Sequence, residues 1–326
     1  MGFNPLNKQW IKLNSNKQMN FYSNGKLLLT GEYLVLDGAK SLAVPTKLGQ
    51  TLIVENIQEQ QLIWGSFTNT GECWFEAVFD LPKLRLVNCS FNSEKEGSAE
   101  FIAETLLEIL KEAKNLNPDF LSSKNGFVVK TKLTFPRDWG LGSSSTLINS
   151  IASWAHVDAF KLLWNSFKGS GYDIACAQND TPIFYKIENK KPIIDPVKFN
   201  PSFKENLFFV HLNQKQDSKE GIAKFRESGD SFQKEIEEVS TISQDFLKAK
   251  SIQDFDKLIF EHEKIISSII KRKPVKEKLF PDYFGEVKSL GAWGGDFVLA
   301  TGNSDTPGYF KNKGFETVLT YSQMVL

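Results

Sequence analysis

A segment rich in glycine and serine constrains this chain more than any other sequence feature. The segment WGLGSSST occupies residues 139–146. It follows the strand-like segment Gly126–Phe135 and precedes apolar residues that recur at helical spacing up to Ala155. Glycines let a backbone turn tightly and approach a ligand closely, and the free N–H groups at a helix start attract anions. The segment therefore predicts a phosphate-binding loop, with a glycine turn capped by serines as the alternative.

The loop belongs to neither of two common nucleotide-binding motifs. No Lys follows the second glycine, so the pattern is not GxxxxGK[ST], and it is not a dinucleotide fingerprint either. Its hydroxyl groups add hydrogen-bond donors for phosphate and oxygen ligands for Mg²⁺. The candidate cofactor-binding residues are Gly140, Leu141, Gly142, Ser143, Ser144 and Ser145.

The composition excludes several classes of protein. The chain has 326 residues, and its 39 Lys and Arg balance its 39 Asp and Glu. A chain without net charge has no global field that draws it onto polyanions, so we expect no nucleic-acid partner. The 41% of hydrophobic and 24% of charged residues are typical of a globular protein. Three cysteines without CxxC spacing argue against a disulfide scaffold and a zinc site.

The residue pattern predicts two domains of mixed α and β structure. The first half contains strand-like segments such as Lys26–Leu36, which is interrupted at Gly31-Glu32, and a helix over Ala99–Ala113 with Ser98 as its N-cap. The second half opens with the buried strand Leu207–Leu212 and continues with long helical patterns. A polar, proline-containing stretch between the halves places the boundary between residues 204 and 205, which gives domains 1–204 and 205–326.

Three motifs in the same order resemble those of the GHMP kinases, the family of galactokinase and of homoserine, mevalonate and phosphomevalonate kinases. PRDWGLGSSST at 136–146 resembles the phosphate loop of that family. NGKLLLTGEY at 24–33 resembles its N-terminal GK…GE motif, and KSLGAWGGD at 288–296 resembles its C-terminal KxxGAGGG motif. GKLLLTGEYLVL looks most like phosphomevalonate kinases, and GSGYDIAC at 169–176 is similar to the GYDIA string of flavobacterial members.

The resemblance implies a fold and an activity. The implied fold is α+β, with an N-terminal ATP-binding domain like ribosomal protein S5 domain 2 and a ferredoxin-like C-terminal domain. The implied reaction transfers the γ-phosphoryl group of ATP, with Mg²⁺, to a small acceptor of isoprenoid synthesis, and phosphomevalonate is the best candidate. Mevalonate, homoserine or a sugar is the alternative acceptor. A catalytically inactive protein that binds a nucleotide or metabolite is the alternative of another class.

The resemblance also assigns roles to individual residues. Asp173 is the candidate acceptor of the substrate proton, although an acid before an apolar run is also a common helix N-cap. Lys26 is the candidate that stabilises the transferring phosphoryl group. Ser144 is the candidate Mg²⁺ ligand by its position in the motif. Glu32 either orients Lys26 or a substrate hydroxyl, or lies at the surface.

The candidate acceptor-binding residues belong to the N-terminal motif, follow the second-half strand or lie in the C-terminal motif. They are Glu32, Lys215, Ser218, Lys288, Gly291, Ala292, Gly294, Gly295 and Asp296. Two features depart from the family pattern: Trp293 stands where the family has a glycine, and residues 160–168 contain no acid for Mg²⁺.

The remaining expectations concern surroundings and assembly. The first residues lack a charged segment followed by an apolar one, and no run of about 18 apolar residues occurs. We therefore expect a cytoplasmic protein without a membrane partner, either a monomer or a homodimer. His262 lies within an amphipathic helical pattern and is expected to be structural.

Overall fold

The structure is a computed structural model, and it describes residues 18–81, 83–91, 98–167, 169–214, 225–226, 232–291, 293 and 295–326. The strands are β1 (Gln18–Leu28), β2 (Ser41–Ile57), β3 (Gln61–Phe67), β4 (Cys73–Asp80), β5 (Arg85–Phe91), β6 (Gly126–Leu133), β7 (Ile183–Glu188), β8 (Lys191–Pro196), β9 (Leu207–His211), β10 (Val287–Ser289), β11 (Phe297–Thr301) and β12 (Val318–Thr320).

The α-helices are α1 (Ala99–Leu116), α2 (Ser143–Ala155), α3 (Ala159–Ser166), α4 (Tyr172–Gln178), α5 (Gln233–Phe246), α6 (Ile252–Ile270), α7 (Val275–Leu279), α8 (Thr306–Asn312) and α9 (Tyr321–Met324). Two short 3₁₀ helices lie at Leu34–Asp37 and Lys204–Asn206. The expected α+β class is therefore confirmed. No helix in the described part of the chain is both long and apolar enough to cross a bilayer.

The described chain forms two compact units, and the first contains residues 18–23, Gln50–Thr134 and Leu147–Phe167. Its strands follow the order β5-β4-β3-β6-β2, where β3 and β6 run parallel and the other neighbours antiparallel. Helix α1 begins at Ser98, whose hydroxyl accepts a hydrogen bond from the Phe101 N–H at 3.2 Å, so the expected N-cap is confirmed. Trp64 and Phe79 are fully buried in this unit.

The second unit contains Asn24–Gly49, Phe135–Thr146 and the described part of Lys168–Leu326. In one part, the first residues of β2 pair with β7, which pairs with β8. In the other, a four-stranded antiparallel sheet has the order β10-β11-β9-β12. Helix α6 buries Phe255, Ile259 and Ile266, which recur at helical spacing. The expected domain boundary between residues 204 and 205 stays a prediction.

The expected strand over Lys26–Leu36 is wrong in its second half, because the chain turns after β1. Gly31 has φ +87°, and a Cβ there would lie 1.9 Å from the Ser41 hydroxyl, so only glycine fits the turn. Tyr33 follows with φ 64°, and a 3₁₀ helix replaces the expected strand from Leu34 onward. The turn carries Glu32 into the interior of the second unit.

Candidate active site

The glycine loop leads directly into the first turn of α2, as the sequence predicts. Gly140 has φ 62° and Gly142 has φ 91°, both in the left-handed region that favours glycine. A Cβ on Gly140 would lie 2.2 Å from the carboxyl carbon of Asp296, so the loop backbone packs against that side chain. Ser143 begins the helix, and the Thr146 N–H donates to the Gly142 carbonyl at 2.9 Å. The N–H groups before Thr146 start the helix and have no intrahelical acceptor.

Lys26 on β1 lies against this loop with both its backbone and its side chain. Its N–H donates to the Leu141 carbonyl and its Nζ to the Gly140 carbonyl, each at 3.0 Å. The Nζ also lies 5.6 Å from the centre of the Tyr172 ring. Burial lowers the pKa of Lys26, but the Tyr172 hydroxyl and the carboxylates of Asp296 and Asp173 together raise it more. The ammonium is therefore charged throughout the physiological pH range.

Asp173 lies in the first turn of α4, after Gly171 with φ 89° at the N-cap. Its Oδ2 accepts a hydrogen bond from the Ser145 hydroxyl, and its Oδ1 accepts one from the Ile174 N–H at 3.1 Å. The starts of α2 and α4 therefore meet through one hydrogen bond. The N-cap role considered for Asp173 belongs to Gly171 instead.

Tyr172 is a site residue that the sequence reasoning missed. It precedes Asp173, and its ring centre lies 5.6 Å from the Lys26 ammonium, close enough for a cation–π interaction. Burial raises the pKa of Tyr172 to about 12, so the phenol keeps its proton. The available signal was its place between a helix-starting glycine and the candidate acid.

Glu32 and Lys288 form a buried ion pair. The Lys288 Nζ donates to Glu32 Oε1 at 2.5 Å and to the Ser289 carbonyl at 2.9 Å. Both side chains are fully buried. Glu32 therefore pairs with Lys288 rather than lying at the surface, and burial raises the pKa of its carboxyl although Lys288 opposes the rise. The substrate-binding roles considered for both residues stay predictions.

Two neighbouring side chains of α6 complete this buried charge cluster, which consists of Glu32, Lys288, His262 and Glu263. His262 Nε2 accepts the Gly31 N–H at 3.0 Å and lies 3.3 Å from Glu32 Oε2. Since Nε2 accepts that hydrogen bond, the imidazole proton lies on Nδ1. Burial and the Lys288 charge hold the pKa of His262 well below its usual range, so the ring is neutral. The structural role expected for His262 agrees with this position.

Glu263 is the least satisfied member of the buried charge cluster. Its Oε1 lies 3.6 Å from Lys288 Nζ, and neither carboxyl oxygen has a hydrogen-bond partner among the described residues. Burial raises the pKa of Glu263 to about 8, with a further rise from Glu32 and an opposing effect of Lys288. At neutral pH most Glu263 side chains are therefore protonated, and the cluster carries the one ion pair.

The C-terminal motif is described only in part. Ala292 and Gly294 lie outside the described residues, as do the candidates Lys215 and Ser218. Trp293 is buried beside Tyr33, Leu34 and Phe225, and its backbone N–H donates to the Tyr33 hydroxyl at 3.3 Å. The tryptophan that departs from the family pattern is thus a core residue.

The structure brings together one part of the predicted site. Lys26, Gly140, Ser145, Asp173 and Asp296 meet at the glycine loop. Leu141 is fully buried, and Ser144 is exposed at the helix start. Gly291 has φ 69° and open space around its Cα, and Gly295 is buried beside Asp296. Glu32 and Lys288 lie together in the buried charge cluster.

The chain was also compared with known proteins. No family model and no curated protein sequence matches it. Among solved structures, the mevalonate kinase of Methanococcus jannaschii superposes with a TM-score of 0.66 at 18% identity, over 94% of this chain and 98% of that one. The phosphomevalonate kinase of Streptococcus pneumoniae, solved with phosphomevalonate and AMPPNP, superposes with a TM-score of 0.66 at 14% identity, over 93% and 99%. The chain has the GHMP kinase fold.

A third structure shows how widely this fold is shared. The galactokinase of Lactococcus lactis, solved with galactose, superposes with a TM-score of 0.63 at 13% identity, over 94% of each chain. These kinases differ in the acceptor that their names give. The likeness therefore describes the architecture of the chain, and the chemistry has to be argued from its own residues.

Proposed function

We propose that this chain is a GHMP-type kinase that transfers the γ-phosphoryl group of ATP to a small acceptor. The observation that carries the proposal is the meeting of Lys26, Ser145 and Asp173 at a glycine loop that opens a helix. A phosphate chain needs N–H donors and a cation, and a hydroxyl acceptor needs a base. The kinase fold supports the same proposal.

The residues at the loop fit a nucleotide polyphosphate with Mg²⁺. The positive end of the α2 dipole lies at the loop, and the N–H groups of Gly140–Ser145 would hold the phosphates. The described residues contain no group of three His, Cys, Asp or Glu side chains for a metal. Protein-bound Mg²⁺ commonly takes one or two protein oxygens and completes its shell with phosphate and water, so the exposed hydroxyl of Ser144 fits this role. Bound Mg²⁺ supplies neutralisation of phosphate charge.

The transfer itself is a displacement at phosphorus. The acceptor oxygen forms a bond to the γ-phosphorus, the bond to the β–γ bridging oxygen breaks, and ADP leaves with that electron pair. If the acceptor is an alcohol, Asp173 takes the hydroxyl proton; with either acceptor, the Ser145 hydroxyl holds the Asp173 carboxylate in place. The charged Lys26 stabilises the negative oxygens of the transferring group, and Tyr172 positions its ammonium.

Phosphomevalonate is the proposed acceptor, on the resemblance of GKLLLTGEYLVL and of the GYDIA string at residues 171–175 to phosphomevalonate kinases and flavobacterial members. Mevalonate or another small alcohol is the second candidate. The two classes make different demands on Asp173. A phosphate monoester has a second pKa of about 6, so it is largely ionised at neutral pH and needs no base. An alcohol acceptor does need one.

An ATP-consumption screen over phosphomevalonate, mevalonate, homoserine and galactose tests the proposal. We expect ADP formation that depends on one acceptor. For an alcohol acceptor, Asp173→Asn lowers kcat by about 10²–10⁴-fold; for phosphomevalonate the loss is smaller. Lys26→Met lowers kcat by about 10²–10³-fold with either acceptor. The matched controls are Asp245→Asn and Lys248→Met, which alter an exposed ion pair at the end of α5 and should keep wild-type turnover.

Two outcomes would contradict the proposal. If Asp173→Asn and Lys26→Met both turn over at the wild-type rate, the assigned chemistry is wrong. If the wild type binds ATP but consumes it with none of the four acceptors, the chain is a nucleotide-binding protein without kinase activity.

A further inference from the structure

The second unit contains a cavity of about 820 Å³ apart from the glycine loop. The C-terminal part of α6, helix α7 and the start of β10 form its walls. None of the candidate site residues among the described residues lines it. Its volume lies in the range of pockets that hold small organic ligands, and is far larger than one inorganic ion needs.

The cavity is rich in cationic side chains, and three of the lysines lack a carboxylate partner among the described residues. Its cations are Lys264, Lys271, Arg272, Lys273 and Lys276. Lys276 pairs with Glu286 at 2.7 Å. Lys264, Lys271 and Lys273 form no ion pair with any carboxylate in the described part of the chain. The carboxylates of Glu277 and Glu286 also lie in the wall, but the cations outnumber them, so positive charge remains available to an anion.

The helix end explains only part of this arrangement. Cations after the last turn of a helix interact favourably with its negative end, and Lys271 caps α6 with φ 53°. This effect concerns the last turn and needs no cavity. It does not explain Lys264, which lies one to two turns earlier.

Glu263 also belongs to the cavity wall, but its carboxyl is not presented to a ligand. The residue is 3% exposed, and both carboxyl oxygens have almost no accessible surface. Its Oε1 lies 3.6 Å from the Nζ of Lys288, a side chain that does not line the cavity. The carboxyl therefore belongs to the buried charge cluster, and the charge of the cavity comes from the other side chains of its wall.

We propose that this cavity binds a small organic phosphate. The guanidinium of Arg272 and the ammonium groups of Lys264, Lys271 and Lys273 suit a multiply charged phosphoryl group. Phe260, Pro274, Pro281 and Val287 supply apolar wall for the organic part. The proposal goes beyond the kinase activity and does not depend on it.

The cavity adjoins the buried charge cluster through Glu263. This residue lines the cavity, and its Oε1 lies 3.6 Å from Lys288, which pairs with Glu32.

Isothermal titration calorimetry with phenyl phosphate, AMP and fructose 1,6-bisphosphate tests the proposal without any need for turnover. We expect one of them to bind the wild type with one-to-one stoichiometry and a Kd below 1 mM. The cavity variant Lys264→Gln/Lys273→Gln should bind that compound at least tenfold more weakly. Its matched control, Lys234→Gln/Lys248→Gln, also removes two positive charges, from exposed ion pairs within and just after α5, and should bind within twofold of the wild type.

Three results would overturn the proposal. The first is a Kd above 1 mM for all three compounds. The second is binding to the cavity variant that equals wild-type binding, which would place the ligand elsewhere, as at the glycine loop. The third is equal weakening in the cavity variant and its control, which would show a dependence on net charge alone. Calorimetry measures binding without turnover, so each of these results can be interpreted even if the chain shows no kinase activity in the screen.

Discussion

Replacing Lys288 by methionine should destabilise the protein strongly, because it leaves the Glu32 carboxylate buried without its countercharge. Both side chains are fully buried, and the ammonium lies 2.5 Å from the carboxylate oxygen. Removing one partner of a buried ion pair costs about 3–5 kcal/mol, since the remaining charge cannot be solvated. We expect the free energy of unfolding of Lys288→Met to fall by about 4 kcal/mol.

Removing the carboxylate of Glu32 should destabilise the protein less than removing the ammonium of Lys288. In Glu32→Gln the ammonium keeps a second carboxyl, Glu263, at 3.6 Å, and this group can ionise in place of Glu32. We expect a loss of roughly 2 kcal/mol for Glu32→Gln and about 3 kcal/mol for the double variant with Lys288→Met. The double variant then costs about 3 kcal/mol less than the two single changes together, a coupling typical of residues in contact.

Urea denaturation followed by circular dichroism measures these free energies. The matched control is Lys313→Met, which breaks a 2.9 Å ion pair with Asp282 at the surface and should cost far less than Lys288→Met. The reasoning fails if Lys288→Met costs no more than this control. It also fails if the costs of the two cluster variants add to within about 0.5 kcal/mol, because the pair would then be uncoupled.

Three further changes test other parts of the account. With its pKa raised from 4.5 to about 8, folded Glu263 keeps a proton that the unfolded chain loses, so stability falls as pH rises through this window. Against Glu263→Gln, the wild-type free energy of unfolding from urea titrations should decline by up to about 1.4 kcal/mol per pH unit. Tyr172→Phe removes the hydroxyl beside Lys26 and should lower kcat about tenfold with stability unchanged. Gly140→Ala places a Cβ 2.2 Å from the Asp296 carboxyl carbon and should weaken ATP binding at least tenfold in calorimetry.

A different result would contradict each of these three predictions. Parallel pH profiles for wild type and Glu263→Gln would show that the carboxyl titrates normally. An unchanged kcat for Tyr172→Phe would remove it from the site. For Gly140→Ala the control is Gly71→Ala, where φ is +92° but no atom lies within 4 Å of the new Cβ. Equal ATP binding by these two variants would show that the contact with Asp296 is irrelevant.

The loop and its helix could be predicted from sequence because their signals are local. Closely spaced glycines and serines, followed by apolar residues at helical spacing, predict a turn that leads directly into a helix. Ser98 could be predicted as an N-cap for the same reason, because it directly precedes the helical pattern of α1. The error over Leu34–Asp37 was local too. Its apolar run suited a strand, but the turn at Gly31 ended β1 first.

The buried charge cluster could not be predicted because its members are far apart in the sequence. Glu32 and Lys288 are 256 positions apart, and no local pattern says that two charged residues in different motifs will pair. Glu263 and His262 read as ordinary members of an amphipathic helix. Both side chains are buried, and His262 contacts the Gly31 turn, a long-range contact that no local pattern predicts.

A crystal structure with AMPPNP and Mg²⁺ tests the central claim most directly. The account predicts that the triphosphate lies on the N–H groups of Gly140–Ser145, with Lys26 Nζ against a phosphate oxygen and Asp173 facing the γ-phosphorus. A nucleotide whose phosphates bind elsewhere, for instance among Lys264, Lys271 and Lys273, would contradict it.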